Sequence, residues 1–192
     1  MLFRSELMRI IAGSAKGRIL ASPDGATRPT SDRAREGIFS TVESLIDFEP
    51  ELHVLDLFAG TGAWGLEAAS RGAGHVDLVE RESKAVAVCQ ENISRVGLPV
   101  KVHLASVEKW LTQAAHLKYG LVFLDPPYVL ANEKVESILS QLLTSEWLEP
   151  GALVCVERPS AGKSFTWPAQ FTPLRERKYG LAAVHYATWA SL

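Results

Sequence analysis

The chain has 192 residues, of which 47% are hydrophobic, and this is enough apolar material for one domain with its own core. The opening sequence MLFRSELMRIIAG mixes charged with apolar residues, unlike a signal peptide or a membrane span, so we expect a cytoplasmic protein. The formal net charge is −2, but residues 1–35 carry seven basic and three acidic side chains. A basic arm on an acidic body favours contact with phosphate groups, although a merely solvated arm has the same composition.

The amino-terminal region predicts a short hairpin followed by a helix. Two apolar runs flank the turn-like residues 13–17, and a turn-rich stretch over residues 22–32 follows them. Thr30 or Ser31 can cap a helix that continues to about Ile46. We therefore assign residues 1–48 to a small extension and residues 49–192 to the main domain.

From residue 52 onward, short apolar runs alternate with amphipathic stretches, which is typical of strand–helix units in a parallel sheet. The predicted strands are residues 53–58, 75–80, 100–104, 120–125 and 152–157. The predicted helices are residues 63–71, 82–96, 106–116 and 132–145. Two further apolar stretches around Gly180 are close enough to pair as an antiparallel hairpin. The pattern predicts an α/β fold with a doubly wound, mostly parallel, seven-stranded, Rossmann-like sheet.

A glycine-rich turn follows the first predicted strand. Gly60, Gly62 and Gly65 have a G-x-G-x-x-G spacing at the start of a helix, where a nucleotide can approach the backbone and free amides are available. Glu80 ends the second strand, where a carboxylate can accept hydrogen bonds from both hydroxyls of a ribose. These features indicate a nucleotide-containing ligand without identifying it.

Asp56 narrows the choice of ligand. In an NAD site the glycines usually follow the strand directly, whereas here Asp56 and three more residues precede Gly60. S-adenosylmethionine has a sulfonium and an amino-acid end in place of a pyrophosphate, and Asp56 can bind its ammonium group directly or through water. The alternative is a buried aspartate that caps its own loop.

The fourth strand ends in the tetrapeptide Asp125-Pro126-Pro127-Tyr128, at the sheet edge where open α/β folds bind ligands. Two prolines stiffen the turn and leave carbonyl oxygens available as acceptors. The Asp125 carboxylate and the Pro126 carbonyl can accept both N–H protons of a base amino group and orient its nitrogen towards a methyl donor. Tyr128 can stack on a base that has left its helix. A proline-stiffened structural loop is the alternative.

The sequence resembles class I methyltransferases that modify base amino groups. Two segments carry this resemblance, VLDLFAGTGAWGLEAASRGA and VFLDPPY. The segments RIIAGSAKGR, TRPTSDRAREGIFS and RKYGLAAVHYA are similar to the bacterial RsmD-type enzymes, which methylate guanine N2 in 16S ribosomal RNA. The similarity covers nearly the whole chain from Met8, so residues 1–7 are interpreted as an upstream extension or an alternative start.

The resemblance implies a role for individual residues. Asp56, Gly60, Gly62 and Glu80 would hold S-adenosylmethionine, and residues 125–128 would receive the guanine, with Asp125 also lining the cofactor site. Many relatives place an acidic residue near the adenine after the third strand. This sequence has Ala105-Ser106 there, so Ser106 or a backbone amide is expected to make that contact.

The basic arm is the expected RNA contact. Its proposed residues are Arg18, Arg28, Thr30, Arg33 and Arg35. In the alternative, the arginines are a structural clasp packed on the sheet, and Arg33 could instead brace the cofactor loop. The expected partner is ribosomal RNA, either naked or within an assembling small subunit. The protein is expected to be a monomer that binds neither a metal ion nor a membrane.

Two other functions remain open from the sequence. An adenine-N6 DNA methyltransferase could use the same tetrapeptide, although no separate domain for reading duplex bases is visible. A non-catalytic nucleotide-binding protein of this fold is disfavoured by the intact tetrapeptide. Cys89 and Cys155 are expected to be buried, reduced thiols, and the spacing of the five histidines does not suggest a metal cluster.

Overall fold

The computed structural model describes residues 7–22 and 31–190. Within this part of the chain the helices are α1 (Asp32–Glu43), α2 (Ala63–Arg71), α3 (Ser83–Val96), α4 (Val107–Leu111) and α5 (Asn132–Thr144). The strands are β1 (His53–Leu57), β2 (His75–Glu80), β3 (Val100–Leu104), β4 (Tyr119–Leu124), β5 (Leu148–Pro159), β6 (Phe171–Tyr179) and β7 (Ala182–Trp189).

The strands form a single sheet in the order β3-β2-β1-β4-β5-β7-β6. Neighbours from β3 to β5 are parallel, whereas β7 runs antiparallel to both β5 and β6. The strand order reverses between β1 and β4, and ligands of open α/β sheets bind at the carboxyl ends of the strands beside such a reversal. The topology therefore places the candidate site above β1 and β4.

Apolar cores lie on both faces of the sheet because each buried strand alternates its side chains between them. Helices α1, α2 and α3 contribute to the core on the first face, together with Val54 and Phe123. Helices α4 and α5 contribute to the core on the second face, together with Leu55 and Leu124. The predicted doubly wound α/β fold is confirmed.

Residues 7–22 pack against α2 and α3. The buried carboxylate of Glu67 accepts the backbone N–H groups of Ile11 and Ala12 at 2.8 and 3.0 Å. The side chain of Asn92 exchanges hydrogen bonds with the backbone of Ala21. Gly13 is required at the closest approach, because a Cβ there would lie 1.8 Å from the Ser70 carbonyl oxygen. The segment shares the first core, and the boundary at residue 48 stays a prediction.

Three elements differ from the sequence prediction. The amino-terminal hairpin is reduced to one antiparallel bridge, Arg9 with Ile19, because its backbone amides bind helix side chains as well as each other. The helix predicted over 106–116 ends at Leu111, whose carbonyl accepts the buried Trp147 indole N–H at 3.3 Å. Strand β5 begins four residues before its predicted start, since Leu148 already pairs with Tyr119.

Candidate active site

The glycine-rich turn joins β1 to α2. Gly62 occupies the N-cap position of α2 with φ 79°, and a Cβ there would lie 2.8 Å from Leu78 Cδ1. A Cβ on Gly65 would lie 2.3 Å from Leu78 Cδ2, so this glycine allows α2 to pack closely on β2. Gly60, with φ 57°, has no atom within 4 Å of the Cβ position. The turn is thus closed on its sheet side and open on the side where a ligand can approach.

Glu80 supports the same turn from the end of β2. One of its carboxylate oxygens accepts the Gly60 N–H at 2.9 Å, and the other accepts the Glu82 N–H at 2.9 Å. Two charge-assisted bonds fix the orientation of this half-buried carboxylate. A ribose hydroxyl would bind an oxygen that is already held in place.

Asp56 lies beneath the turn and is only 1% exposed. Its carboxylate accepts the Gly65 N–H at 2.9 Å, which is the loop-capping alternative given above. Burial raises the pKa of Asp56 to about 7, and the nearby Glu80 carboxylate acts in the same direction. The ammonium-binding role stays a prediction.

Asp125 follows β4 and lies on the first face of the sheet, as do Asp56, Glu80 and Glu157. This placement follows from the two-residue alternation along each strand and from the register that pairs Leu124 with Val156. Burial raises the pKa of Asp125 well above its ordinary value, with further contributions from the Glu157 and Asp56 carboxylates. A carboxyl with a raised pKa is a stronger proton acceptor once it is ionised.

Tyr128 stands at the mouth of this group, with 47% of its surface exposed. Its hydroxyl donates a hydrogen bond to Glu157 at 3.2 Å. Burial raises the pKa of Tyr128 to about 12, and the Glu157 carboxylate acts in the same direction. The ring is therefore tethered at its hydroxyl while remaining available for stacking on a base.

Glu157 and Arg158 were missed by the sequence analysis. Both are buried at the end of β5, and Arg158 donates to the carbonyl oxygens of Pro127 and Leu130 at 3.4 and 2.6 Å. The signal was available, because Glu157 ends a predicted strand in the same way as Glu80. The rule that singled out polar residues at carboxyl ends of strands applied to this strand too.

The proposed RNA-binding arginines occupy different surroundings. Arg35 is 1% exposed and donates to the Arg9 carbonyl and to Asp32, so its burial supports the clasp alternative. Arg18 donates to the Arg95 and Val96 carbonyls at the end of α3, where a cation complements the helix dipole.

Arg33 is exposed on α1, and its RNA contact stays a prediction. Arg28 and Thr30 lie outside the described residues. Ser31, and not Thr30, caps α1 by accepting the Ala34 N–H.

Ser106 is the N-cap of α4, and its hydroxyl accepts the Lys109 N–H at 3.2 Å. Trp64 and Trp110 are each 5% exposed and belong to the two cores. In residues 7–22 and 31–190, no group of three or more His, Cys, Asp or Glu side chains is arranged to hold a metal ion. No helix of the described chain has the length and apolar character needed to cross a membrane.

The sheet order, the glycine turn after β1 and the tetrapeptide after β4 are those of a class I S-adenosylmethionine-dependent methyltransferase fold. The chain belongs to the family described as conserved hypothetical protein 95, whose model matches residues 8–188. The resemblance stated from the sequence is confirmed.

Relatives and solved structures agree with this assignment. The chain is 34% identical to "Ribosomal RNA small subunit methyltransferase D" of Escherichia coli, covering 92% of this chain and 87% of that one. A solved structure described as "Putative methyltransferase yhhF from Escherichia coli" is 32% identical, with a TM-score of 0.83 and coverage of 97% and 99%. An RNA methyltransferase from Salinibacter ruber in complex with S-adenosyl-L-homocysteine has a TM-score of 0.65 at 17% identity, covering 86% and 95%, and supports the fold alone.

Proposed function

We propose that this protein transfers a methyl group from S-adenosylmethionine to the exocyclic N2 amino group of a guanine in small-subunit ribosomal RNA. The observation that carries the proposal is the position of Asp125. This half-buried carboxyl follows β4 on the same sheet face as Glu80, and its backbone N–H donates to the carbonyl of Leu57, which ends β1 just before the glycine turn. Relatives that match most of the chain are named for methylation of small-subunit ribosomal RNA.

The residues around the glycine turn fit the cofactor. The open side of Gly60 allows close approach, and Glu80 offers a fixed carboxylate to the ribose. Asp56 offers negative charge to the ammonium group, and its ionised form would be favoured by that cation. S-adenosylmethionine supplies an electrophilic methyl group bound to a sulfonium.

Residues 125–128 orient the base. The Asp125 carboxylate and the Pro126 carbonyl oxygen accept the two N–H groups, which directs the nitrogen towards the methyl carbon. Methyl transfer would form a nitrogen–carbon bond, break the sulfur–carbon bond of the sulfonium and release the neutral thioether S-adenosylhomocysteine. The methylated amine would then carry an extra proton, which Asp125 can accept because its pKa is raised. Tyr128 stacks on the flipped ring and compensates part of the lost base stacking.

The placement in the cell follows from the substrate. Ribosomal RNA is present in the cytoplasm of bacteria, where we expect this protein to act as a monomer. Arg33 is exposed on α1, where it can contact phosphate groups, and relatives that match most of the chain are named for methylation of ribosomal RNA. RNA is therefore favoured over DNA.

The test is a comparison of ribosomal RNA from cells with and without the gene. Nuclease digestion and mass spectrometry should detect one N2-methylguanosine in small-subunit RNA that disappears on deletion. Purified protein with labelled S-adenosylmethionine should restore it, and Asp125→Ala should not. A missing N6-methyladenosine in DNA, with unchanged ribosomal RNA, would refute the proposal.

A further inference from the structure

A cleft of about 280 Å³ lies beside the tetrapeptide, on the side away from the glycine turn. Residues of the segments 128–132 and 158–163 form its two walls. The volume is slightly below the range of about 300–1,000 Å³ that is typical of small-molecule sites. The cleft is thus suited to a compact group such as a phosphate with part of its sugar.

The wall residues make the cleft cationic. Arg158 and Lys163 both line it, and none of the lining residues carries a carboxylate. The 13-residue helix α5 begins at Asn132, and its N-cap residue Ala131 has no side chain that accepts a backbone N–H of the first turn, which contains one acidic residue, Glu133. A helix start without such a cap offers backbone N–H groups and the positive end of the helix dipole.

The surroundings of Arg158 indicate an anionic ligand independently of the helix start. It is 6% exposed, and two of its N–H groups donate to the carbonyl oxygens of Pro127 and Leu130. Its buried Nε has no hydrogen-bond partner among the described residues. A buried guanidinium N–H without an acceptor is costly, so an anion bound in this cleft would offset that cost.

We propose that the cleft binds a backbone phosphate of the RNA strand next to the flipped guanine. Tyr128 connects the cleft with the proposed guanine site. It lines the cleft, and its hydroxyl donates a hydrogen bond to Glu157, which lies beside Asp125. If a flipped base of the RNA strand stacks on Tyr128, the phosphate next to that nucleotide lies within one nucleotide's length of the cleft wall that contains Tyr128. The inference rests on the proposed RNA substrate. It adds a phosphate contact that positions the RNA strand at the nucleotide whose base is flipped out.

The experiment compares Lys163→Gln with wild type and with Lys118→Gln as a matched control. Both lysines are exposed, but Lys118 precedes β4 at the opposite edge of the sheet. The probe is small-subunit ribosomal RNA purified from cells that lack the gene, titrated at several salt concentrations. Loss of one phosphate contact should flatten the slope of log affinity against log salt by roughly 0.7–0.9.

The affinity ratio between wild type and Lys163→Gln should consequently shrink about 3-fold when salt rises about fourfold. The Lys118→Gln variant should keep the wild-type slope, and both variants should keep the wild-type affinity for S-adenosylmethionine. A wild-type slope in Lys163→Gln, or equal flattening in both variants, would overturn the phosphate cleft. If wild-type protein methylates this RNA and Lys163→Gln keeps the wild-type salt slope, the phosphate cleft is refuted but the proposed function is not. If wild-type protein methylates no RNA, the proposed function fails.

Discussion

An Asp56→Asn variant tests whether this buried carboxyl keeps its proton in the folded protein at mildly acidic pH. Burial, together with the nearby Glu80 carboxylate, raises the pKa of Asp56 to about 7. Because this value exceeds the pKa in the unfolded chain, the folded state binds more protons between the two values. Stability is therefore lost as the pH rises through that window. Asparagine can still accept the Gly65 N–H but does not ionise, so the variant should not lose stability for this reason.

The magnitude follows from the two pKa values. With an unfolded value of about 3.9, ionisation of Asp56 costs wild type about 3 kcal/mol of unfolding free energy between about pH 5 and pH 8. Urea unfolding of both proteins at these two pH values measures the difference. Asp56→Asn should gain about 3 kcal/mol relative to wild type over the interval, since the other titrating groups are common to both.

Asp77 on β2 is the matched comparison, because it is also 1% exposed. Although burial opposes ionisation, hydrogen bonds from His103, Tyr119 and His75 lower the pKa of Asp77 to about 2. Its stabilisation is present above the unfolded pKa and is lost only as the pH falls towards about 2. Asp77→Asn should therefore lose about 2.6 kcal/mol at both pH values. The reasoning is refuted if Asp56→Asn shows no gain with pH, or if both variants respond alike.

Four further variants test the site and the amino-terminal arginines. Asp125→Ala should abolish methyl transfer while calorimetry finds nearly unchanged S-adenosylmethionine affinity; an active variant would exclude the assigned role. Glu80→Ala should weaken cofactor binding by about 1.5–3 kcal/mol for each lost ribose bond, and unchanged affinity would place the ribose elsewhere. Arg35→Ala should lower the melting temperature but keep the salt slope of RNA binding, whereas Arg33→Glu should flatten that slope by roughly 0.7–0.9. The opposite pattern for these two arginines would restore Arg35 as an RNA contact.

Much of the fold was predictable because its signals are local. The alternation of apolar runs with amphipathic helices identified the strands from β1 to β5 and the long helices to within a few residues. The glycine turn and the tetrapeptide were recognisable because backbone stiffness and freedom depend on residue type. Because the strands before them are parallel, the glycine turn and the tetrapeptide must lie at the same edge of the sheet, where the strands have their carboxyl ends.

The errors arose where distant residues decide the outcome. The predicted helix over residues 106–116 stops at Leu111, since an indole N–H from Trp147 takes the carbonyl there. The sequence predicted a terminal hairpin, but not that β7 would lie between β5 and β6. Strand pairing of this kind depends on contacts far apart in the chain, which periodicity does not encode.

The sequence by itself determined the α/β class, the glycine-rich turn after the first strand and the tetrapeptide after the fourth, because each follows from residue type and spacing along the chain. Only the tertiary structure brought Glu157 beside Asp125 and buried Arg35 against Asp32. It also gave Asp56 and Asp77 opposite pKa shifts at equal exposure. The physical reason is that the charge state and accessibility of a side chain depend on neighbours in space, and these neighbours come from separate strands and helices.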